Sequence, residues 1–168
     1  TPDRKVRLLQ PYPAREESRD WYKGTADAIY QNLQHIEGQG SELVLILSGD
    51  HIYKMDYLQM LNFHKEKQAD VTLAYTYLLE ENLMQFGTIT TDTERRVVGF
   101  QEKVKEPKSN MVSMGVYLFK KEVLQQVLEE DAQRITSRHD FGRNVLPRMV
   151  IGNYRIFAYN FKGYWRDV

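Results

Sequence analysis

Residues 43–47 read Leu-Val-Leu-Ile-Leu, an unbroken apolar run that stops at Ser48-Gly49-Asp50. The run is too short for a buried helix, and its flanks are polar, so it predicts a strand over residues 42–48 covered on both faces. Such a strand needs a layer above and a layer below it, which restricts the chain to folds in which helices sandwich a sheet. Asp50 then sits where the strand emerges. In open α/β sheets ligands gather at the carboxyl ends of strands, and Gly49 leaves room beside the backbone. Two readings of Asp50 stand at this point: a cap for the next turn, or a group facing something bound at the strand's mouth.

The remaining pattern supports a layered fold. Ala26, Ile29, Tyr30, Leu33 and Ile36 repeat at helical spacing, with Thr25 placed to cap the start and Gly38 to end it. Residues 56–68 predict a second helix with Leu58 and Leu61 inward. Over residues 70–79, Val71, Leu73, Tyr75 and Tyr77 alternate with Thr72, Ala74 and Thr76, which is strand spacing. Residues 86–91 and 95–103 flank the polar stretch Asp92-Thr93-Glu94 and predict a hairpin or adjacent strands. Residues 111–119 read as another buried strand, running into a helix from Lys120 with Val123, Leu124, Val127 and Leu128 on one face. Asp140 is placed to cap a last helix that Pro147 kinks or shortens, and residues 154–161 form a final strand. Residues 1–24, with Pro2, Pro11 and Pro13, read as irregular. Interleaved helices and strands make the class α/β, with a mixed sheet flanked by helices in one domain over residues 1–168.

Composition excludes several roles. Lysine plus arginine equals aspartate plus glutamate at 23 each, so neither nucleic acid nor a membrane surface is the expected partner. A small anion bound at one local site remains compatible with that balance. Cysteine is absent, which removes disulfides and thiolate metal sites and fits a reducing, cytoplasmic setting. No apolar run reaches the length of a membrane span, and residues 1–20 lack a signal peptide's hydrophobic core.

Further candidates each carry a plain alternative. Glu102-Lys103 ends a strand, where the lysine either neutralises a phosphate or forms a solvated pair with its neighbour. Gly24-Thr25-Ala26-Asp27 opens a helix whose free amides suit an acceptor, or simply form a cap. Asp167, in Gly163-Tyr164-Trp165-Arg166-Asp167, is alone a surface aspartate beside Arg166. Asp140-Phe141-Gly142 lacks the loops that would make it a kinase magnesium motif, and Gly38-Gln39-Gly40 is no dinucleotide fingerprint. His35, His51, His64 and His139 show no zinc-ligand spacing, and no serine or cysteine nucleophile motif appears. Spacing alone supports a phosphate-handling enzyme.

The stretches WYKGTADAIYQNL (21–33), LILSGDHIYKMDY (45–57), FGTI (86–89), EKVKEPKSNMVSMGVYLF (102–119), HDFGRNVLP (139–147) and GYWRDV (163–168) closely resemble, in order, the bacterial glucose-1-phosphate adenylyltransferase family. The resemblance implies a Rossmann-like nucleotidyltransferase domain with a mixed, mostly parallel sheet. It implies transfer of the adenylyl group of ATP to α-D-glucose 1-phosphate, giving ADP-glucose and pyrophosphate on the way to glycogen or starch. By position it makes Asp50 and Asp167 a pair of Mg²⁺ ligands that, with Lys103, form the catalytic set. It puts Glu102 and Lys103 on the glucose 1-phosphate, adds Gly87 and Ser113 as contacts, and makes Tyr117, Asp140 and Trp165 walls of that pocket. Gly24 and Thr25 match the stretch along the nucleotide base, with Asp27 close by. A cytoplasmic, allosteric homotetramer is the implied assembly.

Val104 departs from the proline that usually follows the Glu-Lys pair. The family's opening glycine-rich phosphate loop and its C-terminal β-helix domain have no counterpart in residues 1–168, so a partial catalytic domain, inactive by itself, is expected. Two rivals share the resemblance: a sugar-1-phosphate nucleotidyltransferase using UTP or dTTP, and a non-catalytic regulatory subunit. Such subunits tend to lose the metal aspartates or the sugar-phosphate lysine, and here Asp50, Asp167 and Lys103 are all present.

Overall fold

The structure is a computed structural model that describes residues 6–10, 21–37 and 40–168. Pro2, Pro11, Pro13 and the helix-ending Gly38 lie outside the described residues. No helix among those described is long and apolar enough to cross a membrane.

The expected first helix is two: α1, Thr25–Tyr30, and α2, Leu33–Glu37. Asn32 lies between them and turns its side chain onto the Ala28 carbonyl, 2.9 Å away, an alternative to continued helix. Strand β1, Leu43–Leu47, follows, then the short β2, His51–Tyr53. Helix α3 spans Tyr57–Glu66, with Asp56 as its cap accepting from the Leu58 amide at 3.0 Å. Its buried residues are Met60 and His64, whereas Leu58 is exposed. Leu61 packs on the core as expected, but Leu58 does not: the inward stripe runs through Met60, Leu61 and His64, with Met60 and His64 four apart over the sheet.

Strand β3, Val71–Tyr77, behaves as its alternation predicts. Val71, Leu73 and Tyr75 enter one core cluster with Phe119, Leu124, Leu128 and Phe141, and Ala74 enters the other with Met60, Met114 and Val116. β4, Gly87–Thr91, and β5, Val97–Glu102, form the expected antiparallel hairpin. Its turn is held by Asp92, whose side chain accepts from the amides of Glu94 and Arg96 at 2.9 and 2.8 Å. β6, Met111–Lys120, runs directly into α4, Lys121–Ala132. Asp140 caps a π-turn, Phe141–Val145, that leads into α5, Leu146–Ile151, with Pro147 tolerated in its first turn. β7, Ile156–Asn160, completes the large sheet, and β8, Trp165–Asp167, pairs with β2 in a separate two-stranded ribbon that the sequence pattern does not reveal.

The sheet is mixed and flanked by helices, as expected, but it is mostly antiparallel, not mostly parallel. Its order is β5-β4-β6-β3-β7, and β1 also joins β6. Among the described residues β3 and β7 are the only parallel pair; β6 is antiparallel to β1, β3 and β4. The physical reason is connectivity. The five-residue link between β4 and β5 holds those strands to antiparallel pairing, and β7 comes to lie parallel to β3 because α4 and α5 carry the chain from β6 across to the far edge of β3. The expectation that β1 is covered on both faces also fails, since Leu45 and Leu47 are exposed.

One edge of β6 positions everything that follows. Its first edge is occupied by β3 along nearly its whole length. Its second edge is shared: β1 pairs with residues 116–120 and β4 meets it only at Val112. Ser113, Met114 and Gly115 are left between the end of β1 and the start of β4.

His64 offers a test of the α3–sheet contact. Its Nδ1 lies 2.8 Å from the buried Thr72 hydroxyl, and burial, reinforced by Lys120, pushes its pKa down to about 4. A histidine held neutral in the fold but free to charge when unfolded contributes stability above the ordinary pKa of 6.5 and loses it as pH falls toward 4. The wild-type protein is expected to lose about 3 kcal/mol through this group across that window. His64→Gln should flatten the decline when unfolding free energy is measured by urea titration at pH 7 and pH 4.5.

Candidate active site

The gap in the β6 edge is filled by the loop after β1. The Ser48 amide donates to the Gly115 carbonyl at 3.1 Å, and His51 Nδ1 lies 2.8 Å from the Met114 carbonyl. A carbonyl only accepts, so Nδ1 carries the proton and Nε2 points the other way. Gly115 has φ +65°, and a Cβ there would collide with Ser48 and crowd His51, so this position requires glycine twice over. At Gly49 a side chain would meet no protein atom within 4 Å, which leaves the space beside Asp50 open.

Pairing of β2 with β8 sets His51 opposite Asp167. His51 Nε2 lies 3.3 Å from Asp167 Oδ1 and 3.5 Å from Asp50 Oδ1. One ligand atom from each of the three residues falls within 4.8 Å of the others. Two carboxylates from opposite ends of the chain therefore converge on one point, with the Asp50 side chain 69% and the Asp167 side chain 39% exposed. Oxygen ligands so arranged suit a hard divalent cation that keeps part of its water. His51 is the residue sequence reasoning missed. A search for zinc-type histidine spacing has no means of registering one histidine beside an aspartate whose partner arrives by strand pairing.

Trp165, on β8, anchors this ribbon. Its ring meets His51 edge-on at 5.2 Å and Phe86 at 5.4 Å, and it packs with Met114 and Phe161. Among the described residues its buried indole N–H has no hydrogen-bond partner. Buried donors are rarely left unpaired, so it marks a place where a polar ligand would be satisfied.

Glu102 ends β5 opposite Gly87 in the hairpin register. Its carboxylate is wedged between two glycines: a Cβ at Gly87 or at Gly142 would collide with Glu102 Oε2. Burial, with Asp140 nearby, raises its pKa, against the opposing pull of Lys103 and Arg143. Lys103 follows at φ +51°, off the strand path, with Nζ 4.0 Å from Glu102 Oε1. Tyr117 is buried beneath this region, and desolvation pushes its phenol up to about 12, so it stays neutral. The candidates Gly87, Lys103, Tyr117 and Asp140 thus gather about the Glu102 carboxylate, with Ser113 beside the Tyr117 phenol.

The turn over residues 137–141 fixes the third side. Asp131, buried at the end of α4, accepts from the Ser137 hydroxyl at 2.7 Å and from His139 Nδ1 at 2.8 Å, and pairs with Arg148. An anion at a helix C-terminus is unfavourable alone, so these three donors are what hold it there. His139 has φ +53°, and its carbonyl accepts the amides of Ala26 and Asp27 at 2.8 and 3.2 Å, capping α1 from outside. Gly24 packs so closely that a Cβ would strike the carbonyls of Arg138 and His139. Thr25, expected to cap α1, instead donates its hydroxyl to Asp140 at 3.0 Å and accepts the Phe141 amide at 3.1 Å. Asp27 is largely buried and occupied locally, accepting from the Lys23 amide and from Gln31, each at 2.8 Å. Both bonds fall on Oδ2 and brace the Gly24-Thr25 stretch.

The raised pKa of Glu102 has a stability consequence. In the window between its unfolded and folded values the folded chain holds more protons, so stability falls as pH rises through it. Glu102→Gln is therefore expected to raise the melting temperature at pH 7, with the gain vanishing at acid pH where Glu102 is protonated. A scan of melting temperature against pH for both proteins checks the sign.

A family profile described as nucleotidyl transferase matches residues 4–168. Among curated relatives, a glucose-1-phosphate adenylyltransferase from Desulforamulus reducens is 51% identical over 163 residues, covering 97% of this chain and 41% of the relative. One from Clostridium acetobutylicum is 49% identical, covering 97% and 43%, and one from Thermotoga sp. is 48% identical, covering 97% and 38%. The chain spans about two fifths of the length of these relatives. With a match running over nearly all of its residues, the chain belongs to the nucleotidyl transferase family.

Proposed function

We propose that this chain carries the metal and sugar-phosphate side of a cytoplasmic enzyme that transfers the adenylyl group of ATP to α-D-glucose 1-phosphate, releasing pyrophosphate. The observation that carries the reading is the convergence of Asp50 and Asp167, with His51 between them, at the open end of β1. The names of the relatives supply the nucleotide and the sugar.

A phosphate oxygen of the sugar phosphate forms a bond to the α-phosphorus of ATP, and the bond to the β-phosphate oxygen breaks with its electron pair leaving on pyrophosphate. The attacking oxygen is already anionic, so no side chain needs to remove a proton. What the protein must supply is position and charge neutralisation. Mg²⁺ held by Asp50 and Asp167 would offset the charge of the α-phosphate. Lys103 presents a compact cation to the phosphate of the sugar substrate. Glu102, fixed between Gly87 and Gly142, accepts from sugar hydroxyls, and Ser113, beside the Tyr117 phenol, offers its hydroxyl. Tyr117, Asp140 and Trp165 wall the sugar, while Gly24 and Thr25 line the base with Asp27 bracing them.

The direct test is pyrophosphate release by the full-length protein given ATP, Mg²⁺ and glucose 1-phosphate, with UTP and dTTP in parallel. A clear preference for UTP or dTTP would replace the adenylyl reading with the sister chemistry. Asp50→Asn is expected to lower kcat by about a thousandfold or more, corresponding to several kcal/mol of charge stabilisation, with the circular dichroism spectrum unchanged. Near-normal kcat in that variant removes the metal role. Lys103→Ala should raise the KM for glucose 1-phosphate roughly ten- to a hundredfold, the loss of one charge-assisted bond of about 1.5–3 kcal/mol. If the KM for ATP rises instead, the two pockets are exchanged.

A further inference from the structure

We infer that His51 is a third direct ligand of the divalent cation, and that it tunes which metal the site prefers. The inference rests on reading Asp50 and Asp167 as metal ligands and adds a nitrogen donor to them. Three observations carry it. First, Nδ1–H is committed to the Met114 carbonyl at 2.8 Å, which fixes both tautomer and ring plane. Metal-bound histidines are typically held in this way, by a backbone carbonyl on the nitrogen that does not bind. Second, the free Nε2 lies 3.3 and 3.5 Å from one oxygen of each aspartate. Neighbouring ligand atoms around a cation with bonds of about 2.0–2.2 Å stand roughly 3.0–3.5 Å apart, so the nitrogen stands at coordination spacing from an oxygen of each aspartate, and the two carboxylates come within 4.8 Å of one another. Third, the ring cannot swing away. Its side chain is only 11% exposed, Trp165 meets it edge-on at 5.2 Å, and Gly115 lies against its other side, with a Cβ there falling 3.2 Å from the imidazole.

A neutral imidazole in this pose directs a lone pair at the point the two carboxylates share. Without a cation that arrangement sets lone pair against negative charge; a cation at that point is attracted by all three. Oxygen-only sites favour Mg²⁺, whereas an imidazole adds most to the affinity for transition metals such as Co²⁺. His51 therefore widens the site's preference toward the latter while leaving Mg²⁺ held mainly by Asp50 and Asp167.

The test uses the metal-free full-length protein and bare metal ions. Co²⁺ and Mg²⁺ affinities are measured by calorimetry for wild type, His51→Asn, His51→Gln and Asp50→Asn. Pulsed electron paramagnetic resonance on the Mn²⁺-loaded wild type reads directly whether a histidine nitrogen is bonded to the ion. Asparagine keeps a donor toward Met114 but offers nothing at the Nε2 position, whereas glutamine places a weak ligand atom there. The expected result is a histidine nitrogen coupling in the wild type that disappears in His51→Asn. Co²⁺ affinity should fall roughly ten- to a hundredfold in that variant, with Mg²⁺ affinity changed by less than about threefold and partial recovery of Co²⁺ binding in His51→Gln. Absence of the nitrogen coupling, or Co²⁺ binding in His51→Asn equal to wild type, overturns the inference while Asp50→Asn still abolishes binding. If Asp50→Asn binds both metals normally, the metal reading of the aspartates fails first and the inference with it.

Discussion

The site depends on a vacancy in a hydrogen-bond ladder. β6 gives nearly its whole first edge to β3, but its second edge is divided between β1 and β4, and on that second edge residues 113–115 have no strand beside them. Backbone groups inside a sheet must find partners somewhere. Here the Met114 and Gly115 carbonyls find them in His51 and Ser48, so the loop after β1 is pulled into the gap as a substitute strand. That single substitution places Asp50 on one side of the gap, Gly87 and Glu102 on another, and Ser113 at its floor. The split edge does for this mixed sheet what a reversal of strand order does in a parallel one: it opens a crevice at strand ends.

Each acidic side chain around the crevice is stabilised differently, and the differences follow from burial. Asp50 and Asp167 stay open to solvent, with His51 beside them both. Glu102 is 16% exposed and lacks a close donor, so its charge is poorly solvated and waits for one. Asp131 is nearly inaccessible and is satisfied by three donors from Ser137, His139 and Arg148. The satisfied carboxylate is the structural one. By locking the 137–141 turn it fixes Asp140 against Thr25 and caps α1, so the Asp140 turn and the Gly24-Thr25 stretch move together.

Much of this was legible in the sequence. Alternation over 71–77 and the polar break at Asp92 gave β3 and the β4–β5 hairpin, because both signals are local. Asp50 at a strand end and the Glu102-Lys103 pair stood out for the same reason. Three features were not legible. Sheet polarity depends on which strands a crossover joins, and the apolar run at 43–47 says nothing about its neighbour's direction. The inward face of α3 is set by the sheet beneath it, which selects Met60 and His64 over Leu58. The β2–β8 ribbon involves three residues on each side, too short for any periodicity, so the placement of His51 beside Asp167 had no sequence signal at all.

That ribbon is also where the design is most exposed. A two-stranded ribbon has little stability of its own, and this one is six residues in total across both strands. Its position must come from side-chain packing, and Trp165 is the means: one face of the ribbon is pinned by an indole set among Phe86, Met114, Phe161 and His51. Asp167 has no comparable anchor and is carried two residues beyond that ring. The separation of the two carboxylates is therefore a property of an aromatic contact and not of either aspartate. Shrinking Trp165 would disperse the site while leaving the large sheet untouched, because no strand of that sheet pairs with β2 or β8.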